Sequence, residues 1–81
     1  VSAYDVEVFP VEPTRWIAVI EGPLGLFSTE TTAPELIVDE VHSSIREVLD
    51  DATPTLRLVD EDGRPWTVES AAAQLAGLDD R

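Results

Sequence analysis

Cysteine, methionine and lysine are all missing from these 81 residues, and histidine occurs once, at His42. Without cysteine there is no disulfide, no thiolate metal site and no cysteine nucleophile, a usage that suits a reducing compartment. Without lysine the five cations are all arginines, set against seventeen Asp and Glu for a formal net charge of -12. Phosphate recognition needs stripes of Lys and Arg that neutralise the nucleic-acid backbone and release its counterions, so direct nucleic-acid binding is not expected. No apolar run approaches the ~20 residues that span a bilayer, and no signal-peptide pattern opens the chain. The expectation is a soluble, cytoplasmic protein with no membrane partner.

What is present has the balance of a folded chain. Apolar residues make up 43% and charged residues 27%, which is ordinary globular usage despite the lopsided sign and argues against wholesale disorder. The length allows one core, so residues 1–81 are read as a single domain. A charge excess of one sign repels itself in the compact state, yet it steers oppositely charged proteins into encounter. A basic protein is therefore the natural partner, and solubility alone is the plainer explanation of the same charge.

Tyr4-Asp5-Val6-Glu7-Val8-Phe9 alternates apolar and acidic residues with period two, the pattern of a strand with one face on a core and one in water. Trp16-Ile17-Ala18-Val19-Ile20 is apolar on both faces and reads as a central strand. Gly22-Pro23 breaks it, and Leu24 to Thr29 resumes extended structure, completing an antiparallel meander in which Gly25 marks a bulge or close packing. Thr32 with Glu35 spells a capping box, and Pro34 fits the first turn of the helix that follows. Ile37, Val41, Ile45 and Val48, widened by Val38 and Leu49, form the stripe that would cover a sheet, and Asp50-Asp51 stop the helix. Thr55–Val59 and Trp66–Val68 alternate again around an Asp60-Glu61-Asp62-Gly63 hairpin turn. Ser70 would cap a short helix ending at Gly77. The expected class is α+β: a small antiparallel sheet of three to five strands packed on one main helix, in the order β-β-β-α-β-β with a short C-terminal helix.

The run from Trp16 to Leu36, with Pro23-Leu24-Gly25 as its turn and Thr32 and Glu35 opening the helix, resembles the N-terminal domain of HicB-family antitoxins. Tyr4 to Val8 looks like the opening strand of that domain and Thr55 to Val59 like the strand after its helix. The resemblance implies an antitoxin that sequesters HicA, a small basic ribonuclease, by covering its catalytic face. Many HicB proteins add a DNA-binding segment at the C-terminus, whereas Glu69 to Arg81 is too short and too acidic to be one.

On that reading Glu35, Asp39, Glu40, Glu47, Asp50 and Asp51 are the candidate steering groups, although a solvated helix face needs no other explanation. Phe9 and Trp66 are candidate anchors if exposed; large aromatics otherwise belong to the core. No catalytic residue, metal or cofactor is expected. Ser43 and Ser44 are sequence neighbours of His42 rather than helical face partners, so no Ser-His pair is indicated. A calcium loop opening at Asp60 would close on a Glu at position 71, which is Ala71. Asp5, Glu7 and Glu40 have no spacing that demands two-metal chemistry. The rival reading is a stand-alone regulatory or self-assembling domain that engages another basic protein, or itself as a homodimer through an exposed strand edge, and a small hydrolase is the third class.

Overall fold

The computed structural model describes residues 3–23, 25–50 and 54–79. Strands β1 (Ala3–Glu12), β2 (Arg15–Gly22) and β3 (Gly25–Thr31) form an antiparallel meander. A 3-10 turn over Pro34–Leu36 leads into helix α1 (Ile37–Leu49), followed by strand β4 (Thr55–Val59) and helix α2 (Ala71–Asp79). The class is α+β, as the sequence indicates. The strand order is β3-β2-β1-β4, and β4 lies parallel to β1, which makes the sheet mixed rather than wholly antiparallel. The reason is topological: α1 carries the chain from one edge strand across the sheet to the other, and the new strand runs the same way as β1.

Period-two alternation decides what each strand buries. Tyr4, Val6 and Val8 of β1 and Trp16, Ala18 and Ile20 of β2 turn to one face, where Ile37, Val41 and Ile45 of α1 pack over them. The α1 stripe runs strictly at four-residue spacing, 37, 41, 45 and then the half-buried Leu49, so Val38 and Val48 are left exposed instead of joining it. Trp66 and Ala71 complete the core, with the Trp16 and Trp66 rings in an edge-to-face contact at 6.3 Å between centroids. Such a pair contributes about 0.5–1.5 kcal/mol beyond its buried area. It offsets part of the cost of the Trp16 Nε1, which is buried without a hydrogen-bond partner among the described residues.

Several local features differ from the sequence reading. The residue before the 3-10 turn is Ala33, in extended conformation and with no side-chain cap, so Thr32 and Glu35 form no capping box. The Thr31 hydroxyl instead donates to the Ala33 carbonyl at 2.8 Å and accepts from the Ala33 N–H, an ordered bend that ends β3. The reciprocal box appears elsewhere, between Thr67 and Ser70. The Thr67 N–H donates to Ser70 Oγ at 2.9 Å and the Ser70 N–H to Thr67 Oγ1 at 3.1 Å, so α2 is capped one turn earlier than expected. Helix α2 also runs through Gly77 instead of stopping there. Trp66–Val68 is not a strand: the chain pairs with β4 only at Val59 and Pro65 and through the Trp66 N–H to the Leu58 carbonyl. Pro65 has no N–H to extend the ladder, and the Trp66 ring is drawn into the core. Gly25 is required by a backbone φ of +118°, not by packing, and the β2–β3 register is unbroken. No described helix is long and apolar enough to cross a membrane.

Candidate functional site

Carboxylates stand on both sides of the molecule. Along α1 and its lead-in turn, Glu35, Asp39, Glu47 and Asp50 are exposed, with Arg46 among them. Glu40 is half-buried and accepts a hydrogen bond from the Thr29 hydroxyl at 2.9 Å, so it clamps α1 to β3. Of the expected steering groups, four therefore form an exposed row, Glu40 serves the fold as well, and Asp51 lies outside the described residues. Leu24, from the middle of the expected turn, lies outside them too.

The two expected anchors part company. Trp66 is 4% exposed, and its Nε1 donates to Gln74 Oε1 at 2.7 Å, so it is a core residue. Gln74 in turn donates from Nε2 to the Val8 carbonyl at 2.8 Å, tying α2 to β1. Phe9 lies half-buried on the opposite side of the sheet, the face that neither helix covers.

Strand register arranges that open face in three cross-strand rows. The first is Glu30–Ile17–Phe9, the second Ser28–Val19–Glu7–Val59 and the third Leu26–Glu21–Asp5–Arg57. Phe9, Ile17, Val19 and Val59 are half-buried, and Leu26 is 71% exposed. Two ion pairs flank them: Arg15 Nε to Glu30 Oε1 at 3.0 Å, and Arg57 Nε to Asp5 Oδ1 at 3.8 Å. Both are solvent-exposed and so contribute little stability. Glu7 and Glu21 have no ion pair among the described residues, and Glu21 stands directly across the ladder from Asp5. Like charges in that position destabilise a sheet. A cavity of about 380 Å³ opens among Val19, Leu26 and Val59, with Glu7, Glu21 and the Asp5–Arg57 pair at its walls.

The sequence contained part of this face. Asp5, Glu7 and Phe9 share one side of an alternating strand, and Ile17 and Val19 make β2 apolar on both sides. It did not disclose that β4 would add Arg57 and Val59 to the same surface, because parallel pairing to β1 leaves no local signature.

In the other carboxylate cluster, Asp60 to Asp62, the Asp60 side chain is structural. Asp60 accepts the backbone N–H of Asp62 and of Arg64, each at 2.9 Å, which shapes the turn that Gly63 completes at φ +81°. Among the described residues no group of three His, Cys, Asp or Glu stands close enough to hold a metal ion.

These features define a small α+β domain with a two-sided acidic surface and one uncovered sheet face. Searches of protein-family models, curated proteins and solved structures find no match to the chain.

Proposed function

We propose that the protein is a non-enzymatic, acidic partner-binding module that acts in the cytoplasm as a HicB-type antitoxin, sequestering a small basic ribonuclease. The observation that carries this reading is the uncompensated charge: a net -12, with two arginines committed to ion pairs among the described residues and exposed carboxylates on both α1 and the sheet. A basic ribonuclease attracts the phosphates of RNA, and an inhibitor offering carboxylates to the same field meets it quickly. Apolar contact at the centre of the interface then slows dissociation. The test is genetic and physical. Co-expression with the product of a short basic reading frame beside this gene should restore growth, and the purified complex should weaken steeply as salt is raised. Absence of such a frame, or a complex indifferent to salt, removes the antitoxin reading.

One observation favours self-assembly as the second reading. The outer edge of β3 runs through Gly25-Leu26-Phe27-Ser28-Thr29 without a charge, a proline or a bulge, so it lacks the devices that usually protect an edge strand. Pairing of two such edges brings like-charged chains together, so salt should strengthen it. Light scattering across a salt series separates the two readings by the sign of the response.

A further inference from the structure

We propose that the open sheet face, not the acidic row on α1, is where the basic partner docks, and that an arginine or lysine of the partner enters the cavity between Glu7 and Glu21. This rests on the acidic partner-binding reading and assigns it a surface.

Three observations select this face. The first is that its apolar residues are contiguous across strands. Phe9 pairs with Ile17, Val19 is the next residue on that side of β2, and Leu26 lies diagonally beyond it. Specific interfaces combine such an apolar centre with a polar rim. The exposed apolar residues on the helix side, Leu36, Val38 and Val48, are instead spread along α1 and its lead-in turn.

The second observation is charge complementarity. Asp5, Glu7 and Glu21 surround the cavity with Arg57 the one cation among its described lining residues, and Arg57 is already drawn to Asp5. On the α1 side Glu40 is held by Thr29, while on the open face Glu30, at its far end, is already paired with Arg15. A cation arriving at Glu7 and Glu21 meets exposed carboxylates that have no ion pair among the described residues. It also separates the like charges of Asp5 and Glu21, which face each other across the ladder.

The third is the shape of the cavity. Val19, Leu26 and Val59 supply an apolar lining, and the carboxylates stand beside it. Long cationic side chains lay their methylene stems along apolar surface and present the charged head to polar groups. Room of about 380 Å³ accommodates one such side chain with its neighbours on the partner. The occupant is thus a basic protein segment in which cationic and apolar residues alternate.

The experiment uses the full chain and two synthetic peptides of equal length and equal positive charge, one alternating Arg with Val and Trp, the other alternating Arg with Ser. Amide shifts in the NMR spectrum are followed at low salt. The proposal expects the apolar-containing peptide to bind about tenfold more tightly, with shifts at Glu7, Phe9, Ile17, Val19, Glu21 and Val59. The double variant Ile17→Thr, Val19→Thr keeps the strand shape and should erase that tenfold advantage. Glu7→Gln with Glu21→Gln should lower affinity for both peptides and flatten the salt dependence. If the peptides bind equally well and shift Glu35, Asp39, Glu47 and Asp50 instead, the docking surface is wrong and the acidic-partner reading survives. If neither peptide binds at low salt, the acidic-partner reading falls, and this inference with it.

Discussion

At Gly25 and Asp50 the backbone adopts positive φ, +118° and +55°, and the two residues meet that demand unequally. Gly25 has open space around the position a Cβ would occupy, so Gly25→Ala would cost backbone strain alone. A loss of about 1–3 kcal/mol is expected in urea unfolding, and an unchanged midpoint would refute the strain. Asp50 is the residue after α1, in the left-handed conformation where glycine carries no steric cost, and its carboxylate also faces the negative end of the helix macrodipole. Asp50→Gly should therefore stabilise the fold by about 0.5–1 kcal/mol. For a domain of this size that raises Tm by roughly 2–8 °C, readable by circular dichroism. A fall in Tm would mean that the Asp50 side chain makes a contact worth more than the strain it carries.

Among the elements, α2 depends most on a single side chain. Its apolar face is small, with Ala71 buried and Leu75 packed partly against the core. Gln74 compensates by accepting from the Trp66 indole and donating to the Val8 carbonyl. In Gln74→Leu both partners lose their hydrogen bond while the volume is roughly kept, which should cost about 1–3 kcal/mol. Amide exchange in α2 and around Trp66 should accelerate while the Val6 and Ile20 amides stay protected. Equal acceleration throughout would show that α2 unfolds only with the whole domain. None of this network was legible in the sequence, because Gln74 and Val8 are far apart in the chain and a lone Gln in an alanine-rich segment reads as surface. The β1–β2–β3 meander was legible, since alternation and the Gly-Pro break are local signals. The helix was legible for the same reason, through the 37, 41, 45 spacing. Its capping was misread: Thr32 has the right residue type, but Thr31 is the hydroxyl the backbone engages, and Pro34 brings a 3-10 turn in place of a capped helical start. The Thr67–Ser70 box was missed because Ser stands where the usual pattern has Glu or Gln.

For the whole molecule the decisive quantity is net charge, and the same carboxylates act on stability and on binding with opposite sign. The carboxylates were legible as a composition, but their distribution was not. The steering groups expected from the sequence all lay in and beside α1, whereas folding joins the acidic side of β1, Asp5 and Glu7, to Glu21 and Glu30 on one sheet face through a register that pairs separate segments. Self-repulsion in a chain of charge -12 should ease as ions shorten the screening length from about 10 Å at 0.1 M to about 3 Å at 1 M. The urea midpoint is expected to rise with sodium chloride and to rise equally with choline chloride, which excludes binding of a particular cation. Over the same range the complex with a basic partner should weaken. Glu21→Gln isolates the two effects at one position. It removes a like charge directly across from Asp5 and should stabilise the fold by about 0.2–1 kcal/mol, while it takes away one of the negative charges lining the cavity that receives the partner's cation. A variant more stable and a weaker binder is the expected result, from paired urea and peptide titrations. Stabilisation with undiminished binding would place the partner's cation elsewhere, and destabilisation would mean that Glu21 is held by the sheet rather than set against it.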